Sequence, residues 1–202
     1  MDQAKLTTET DKNSRANPQL HKNSELIQEF GTRIQVPLAM SNEVCSQSVT
    51  DLNLVLANLM VLYDMYRKGH WQTSGQTFYQ LHLLFEKHYT EISSLIDDVA
   101  ERVQILGGVS IAMPGEVSRL SQIPELPSGR EEVDVQLTKL VEAHEIVLRT
   151  TREAVKKANE NEDEGTSDLL VGGVIRTNEK QVWFIYEHLV SLTPKEKTNF
   201  DA

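Results

Sequence analysis

The chain has little cysteine: Cys45 is the single one in 202 residues. No disulfide can form within it, so the cross-linked folds of small secreted domains are excluded and nothing points to an oxidising compartment. Cys45 reads as a small buried side chain. Basic excess is lacking as well. Against 20 Lys and Arg stand 30 Asp and Glu, a net charge of -10. Such a body is a poor general nucleic-acid surface; it suits a solvated protein or one that gathers cations. The N-terminal stretch MDQAKLTTETDKNSRANPQLHKN has no apolar centre of the kind a secretory signal needs. The longest near-continuous apolar run, LNLVLANLMVLY, is too short to span a bilayer. The expectation is a soluble cytoplasmic protein with no membrane partner. Strand-like alternation is also missing, which leaves helices.

Residues 1–40 are polar, aperiodic and interrupted by Pro18 and Pro37, and read as a tail. From Val44 to about Thr73 apolar residues recur at three- and four-residue steps (Leu52, Val55, Leu56, Leu59, Leu62, Tyr66), the pattern of an amphipathic helix. A second helix is expected from Thr77 to Leu106, closed by Gly107-Gly108. A connection rich in Gly and Pro follows, with a short helix at 116–121. A third helix is expected over 130–159 and a fourth over 167–192, ended by Pro194. Two helical hairpins joined by a long crossover make the ferritin-like version of the four-helix bundle. The bundle is expected over 41–193, with a short C-terminal tail at 194–202.

The chemistry concentrates between Lys68 and Gly108. His82, Glu86, Asp97 and Glu101 share one stripe of the second helix, at about 0°, 40°, 60° and 100° on the wheel. His70 ends the helix before. Imidazole with carboxylate suits iron, manganese or zinc. His82 with Glu86, and Asp97 with Glu101, are four residues apart and converge pairwise. Glu86 and Asp97, however, are 11 residues apart, roughly 16 Å along a helix, whereas metal–ligand bonds are about 2 Å. The two pairs cannot hold one ion within a chain. Two antiparallel copies of the helix, related by a two-fold axis, would bring the ends together and make the site twice.

These residues resemble the signature of the Dps family, the ferritin-like mini-cages that oxidise and store iron and protect DNA in starved cells. The matches are His70-Trp71, Gly75, Phe78, Leu81-His82, Glu86, Asp97 and Ala100-Glu101-Arg102, with ligand spacings from His70 of 12, 16, 27 and 31 residues. They continue at Gly165-Thr166, Asp168 and Trp183-Phe184. The resemblance implies a hollow dodecamer assembled from two-fold dimers. His70, His82 and Glu86 of one subunit, with Asp97 and Glu101 of its partner, would form an iron site where Fe(II) is oxidised by hydrogen peroxide or oxygen. Zinc can stand in for iron there. The family usually has Asp where this chain has Glu86. Trp71, beside His70, is a candidate to intercept stray oxidising equivalents or simply to pack. His88, two residues from Glu86, reads as surface. A classical ferritin centre needs Glu three residues before a His on two helices, and none of the six histidines has one.

Two further features bear on partners. The turn ENEDEGTSD carries Glu160, Glu164 and Asp168 at four-residue steps; the resemblance would set these carboxylates around three-fold axes as an iron entry route, the alternative being an ordinary solvated turn. The tail sets Lys5, Lys12, Arg15 and Lys22 against Asp2, Glu9 and Asp11, a net of +1 (4 − 3). That is feeble for counterion-driven DNA binding, so any DNA contact or nucleoid association should be weak. A DNA-compacting particle with little iron chemistry is the alternative function.

Overall fold

The computed structural model describes residues 26–190, which are helical wherever they are regular. Helix α1 runs Asn42–Gln72, α2 Phe78–Ile105, α3 Pro114–Leu120, α4 Val133–Glu160, α5 Glu164–Asp168 and α6 Arg176–Tyr186, with a π-helical segment Leu169–Ile175 between the last two. The joints on either side of that segment keep right-handed helical dihedrals, so α5, the π segment and α6 form one continuous rod. Four rods result: α1 and α2 as one hairpin, α4 and α5–α6 as the other. Residues 106–132, carrying the short α3, cross between them. α1 is the central element, packing on α2, α4 and α3.

Local chemistry sets the boundaries. Ser41 caps α1, its hydroxyl accepting from the Val44 N–H at 3.2 Å. At the end of α2, Gly107 takes a left-handed φ of 82°. Gly107 N–H donates to the Gln104 carbonyl at 2.8 Å and Gly108 N–H to that of Val103 at 3.0 Å, the paired bonds of a Schellman cap. A Cβ on Gly107 would lie 2.1 Å from the Ile34 carbonyl oxygen. That clearance lets the segment before α1 dock: the Ile34 N–H donates to the Gly107 carbonyl at 2.9 Å and Gln28 Nε2 donates to it at 3.0 Å. Part of the N-terminal stretch is thus held against the end of α2.

α4 ends on the same cap with a different residue. Glu162 sits at φ 57°, and the Asp163 N–H reaches back to the Ala158 carbonyl at 2.8 Å. Asp163 then caps α5 through the Thr166 N–H. The core is built from Leu52, Leu56, Leu59 and Leu62 of α1, Phe85, Ile92 and Val99 of α2, Leu137 and Val147 of α4, and Leu170, Val174 and Ile185 of the fourth rod. α1 is long and apolar enough to cross a bilayer by composition, but 56% of that window is buried inside the protein. Its apolar residues are the bundle core. Cys45 is buried and free.

Candidate metal centre

His70 and His82 meet where α1 and α2 are joined. Their rings stack, with centroids 3.8 Å apart and planes 18° off parallel. Each Nδ1 donates to the other residue's backbone carbonyl, His70 to His82 at 2.9 Å and His82 to His70 at 2.8 Å. A carbonyl only accepts, so both Nδ1 atoms carry a proton, and Nε2 is the ring nitrogen left free to act as a ligand in the neutral tautomer. Hydrogen bonds of this kind to the far ring nitrogen orient histidines as ligands. Tight approach of the helices makes the crossed bonds reachable: a Cβ on Gly69 would lie 3.1 Å from the Phe85 ring. Tyr89 packs edge-on to His70 at 5.5 Å, and Phe78 lies 5.2 Å from His82.

Glu86 is exposed one turn beyond His82, and Asp97 and Glu101 are exposed at the other end of α2. Among the described residues no three His, Cys, Asp or Glu side chains converge on one point. A protomer places two imidazoles, with Glu86 a turn further on, near one end of α2, and two carboxylates near the other. Trp71 is 64% exposed, with the Arg67 guanidinium 4.7 Å from its ring centre. Phe78, Tyr79 and Leu83 are also exposed around the histidine pair. Beside Asp97 lies a groove of about 480 Å³ lined by Leu56, Met60, Ile96, Ala100 and Ile111.

One sequence expectation is corrected. His88 is 1% exposed, in the bundle interior. Its Nδ1 bonds to the Tyr66 hydroxyl at 3.0 Å, and burial holds it neutral, with a pKa pushed down to about 3. The acidic turn is not uniformly solvated. Glu160, Glu164 and Asp168 are exposed, but Asp163 is fully buried. Arg102 Nη2 lies 2.7 Å from it, and the Ser48 and Thr166 hydroxyls donate to it at 2.6 and 2.7 Å. Burial alone would raise this carboxyl; the hydrogen bonds and Arg102 outweigh it and hold it below the usual carboxylate range. Sequence reasoning also passed over His144, Asn178 and Gln181, all buried. His144 was detectable: it fills a slot in the apolar stripe of α4, where Leu140, Val147 and Leu148 are also buried.

Four antiparallel rods with a long crossover define the ferritin-like class, and a ferritin-like domain matches residues 49–193. DpsC from Streptomyces coelicolor is similar at 48% identity over 84% of this chain and 98% of that one, with a TM-score of 0.82. A Dps protein from Vibrio cholerae, described as a ferritin-like diiron-carboxylate protein, is 30% identical over 79% and 99%, with a TM-score of 0.73. DNA protection during starvation protein 2 of Bacillus anthracis is 32% identical over 69% of this chain and 94% of its own length. The chain belongs to the Dps family of ferritin-like proteins.

Proposed function

We propose that the protein is a cytoplasmic mini-ferritin that oxidises Fe(II) with hydrogen peroxide or oxygen and stores the Fe(III) as mineral in a dodecameric cage. The crossed Nδ1-to-carbonyl bonds of His70 and His82 carry this reading, because they leave two ring nitrogens prepared to bind a borderline cation beside Glu86. Asp97 and Glu101 of the partner subunit complete each site. The exposed Trp71, Phe78, Tyr79 and Leu83, and the groove of mixed apolar and serine lining beside Asp97, are surfaces a two-fold mate would cover. Two imidazoles with three carboxylates suit Fe(II), and zinc fits the same donors. Glu86 reaches about one methylene further than the family's usual Asp and sets a longer arm on that side of the ion. Glu160, Glu164 and Asp168, exposed around the α4–α5 turn, are proposed to ring three-fold entry channels. Anaerobic Fe(II) loading followed by peroxide or oxygen, with absorbance and particle size recorded together, tests the whole reading. Oxidation no faster than in buffer would refute it.

A relative bears the name nutrient stress-induced DNA-binding protein, 30% identical over 78% of this chain. DNA compaction is the second reading. The net charge of -10 opposes it, and the tail cations Lys5, Lys12, Arg15 and Lys22 lie outside the described residues. Binding is expected to be weak and to vanish with added salt; a gel shift that persists at high ionic strength would favour this second reading.

A further inference from the structure

The bundle interior holds a polar chain that metal binding at the helix ends does not use. Tyr66 of α1, His88 of α2, His144 of α4 and Asn178 of α6 meet there, one from each rod and none more than 1% exposed. Their protons can be placed. Asn178 Nδ2 donates to the Val174 carbonyl at 2.8 Å, so its Oδ1 accepts from His144 Nδ1, also at 2.8 Å. Burial holds His144 neutral, with a pKa pushed down to about 4. With Nδ1 protonated, His144 Nε2 is a bare acceptor, and the Tyr66 hydroxyl donates to it at 2.6 Å. The phenol oxygen in turn accepts from His88 Nδ1 at 3.0 Å. A buried phenol short-bonded to a neutral base has an exit for its proton already in place. Among the described residues, Tyr63, Tyr79, Tyr89 and Tyr186 form no such side-chain bond.

We infer that Tyr66 is a one-electron donor to the iron site, its phenolic proton passing to Nε2 of His144 as the electron leaves. This rests on the proposed iron oxidation. Peroxide takes two electrons. Where two Fe(II) are bound, iron supplies both. Where a single Fe(II) is bound, iron supplies one and Tyr66 the other: the O–O bond breaks to two hydroxides, Fe(II) becomes Fe(III), and Tyr66 becomes a neutral phenoxyl beside protonated His144. A second Fe(II) then returns the electron, and the proton moves back. The second equivalent is thereby kept from leaving as hydroxyl radical. Position favours the transfer. Tyr66 lies one turn before His70 on α1, about 6 Å along the axis, and its ring centre is 5.7 Å from that of Phe85, the neighbour of Glu86. Trp71 is the poorer donor, because the cation over its face stabilises the reduced ring.

The assembled protein, loaded anaerobically with fewer Fe(II) than sites, should be mixed with hydrogen peroxide, freeze-quenched and examined by electron paramagnetic resonance. A tyrosyl signal is expected that narrows when the tyrosines are ring-deuterated, disappears in Tyr66→Phe and persists in Tyr63→Phe and Tyr89→Phe. In His144→Gln, which keeps the phenol but removes its base, the yield should fall. An undiminished signal in Tyr66→Phe, or an undiminished yield in His144→Gln, overturns the inference. So does normal iron oxidation with no tyrosyl signal, which leaves the iron site itself standing. If no iron is oxidised, the iron-site reading fails. Photo-oxidation of the metal-free cage by a ruthenium polypyridyl then judges Tyr66: a hydrogen-bonded phenoxyl component lost in Tyr66→Phe supports it, and equal yields in both proteins overturn it.

Discussion

At the residue scale, two backbone carbonyls order the imidazoles before any ion arrives. His70 and His82 each spend Nδ1 on the other's carbonyl, so neither the ring orientation nor the tautomer has to be selected on binding. Losing a hydrogen-bond partner that orients a ligand typically costs about 10–100-fold in metal affinity or activity, and losing a ligand should cost at least as much. His82→Ala and Glu101→Ala are therefore each expected to slow Fe(II) oxidation by about tenfold or more, with the cage intact because the buried core is untouched. Stopped-flow absorbance with light scattering checks both halves of the statement. Wild-type rates in the double variant would remove these residues from the site.

At the element scale, the buried polar groups make the bundle sensitive to acid. His144 has its pKa depressed to about 4 by burial, against an ordinary 6.5. The unfolded chain takes up this proton first as pH falls, so the contribution is fully present above 6.5 and is lost on the way down to about 4. At about 1.4 kcal/mol per pKa unit, the loss is a few kcal/mol per chain. Melting temperatures of the assembled protein should fall across that window, and His144→Gln should flatten the fall. An equally steep decline in that variant would reject the assignment. Asp163 acts in a lower window. Its carboxyl is held below the usual range, so its contribution persists until pH passes below ordinary carboxylate values. It ties α1, α2 and α5 through Ser48, Arg102 and Thr166. Breaking a buried pair costs about 3–5 kcal/mol, so Asp163→Ala should unfold at clearly lower denaturant, measured by circular dichroism at neutral pH. A midpoint unchanged from wild type would show the network to be dispensable.

At the scale of the whole molecule, the proposed centre belongs to no single chain. That gives a sharp expectation for mixed assemblies. His82→Ala and Glu101→Ala subunits, each slow alone, should recover activity when refolded together. In a mixed dimer one site loses both residues and the other retains every ligand. No recovery in verified heterodimers would refute the shared site. The entry route belongs to this scale too. Neutralising Glu160, Glu164 and Asp168 together should slow iron uptake more at low salt than at high salt, because screening shortens the reach of a carboxylate ring. Uptake kinetics unchanged at low salt would rule that route out.

Local signals placed the four rods: three- and four-residue apolar spacing, Gly107-Gly108 and the proline-rich crossover, none of which packing overruled. Helical periodicity also put His82, Glu86, Asp97 and Glu101 on one stripe, and the rise per residue already forbade a single-chain site. What the tertiary structure decided was the fate of polar groups whose partners lie far along the chain. His88 looked like surface because it stands two residues from Glu86 and points elsewhere on the helix, yet its partner Tyr66 stands 22 residues away on another rod. Asp163 looked like one acid among five, yet Arg102, 61 residues distant, draws it inside. The π segment, LLVGGVI, was expected as plain helix, and it buries Leu170 and Val174 in the core. Spacing along one helix is written in the order of residues, whereas which buried donor meets which acceptor is settled only when separate helices close on one another.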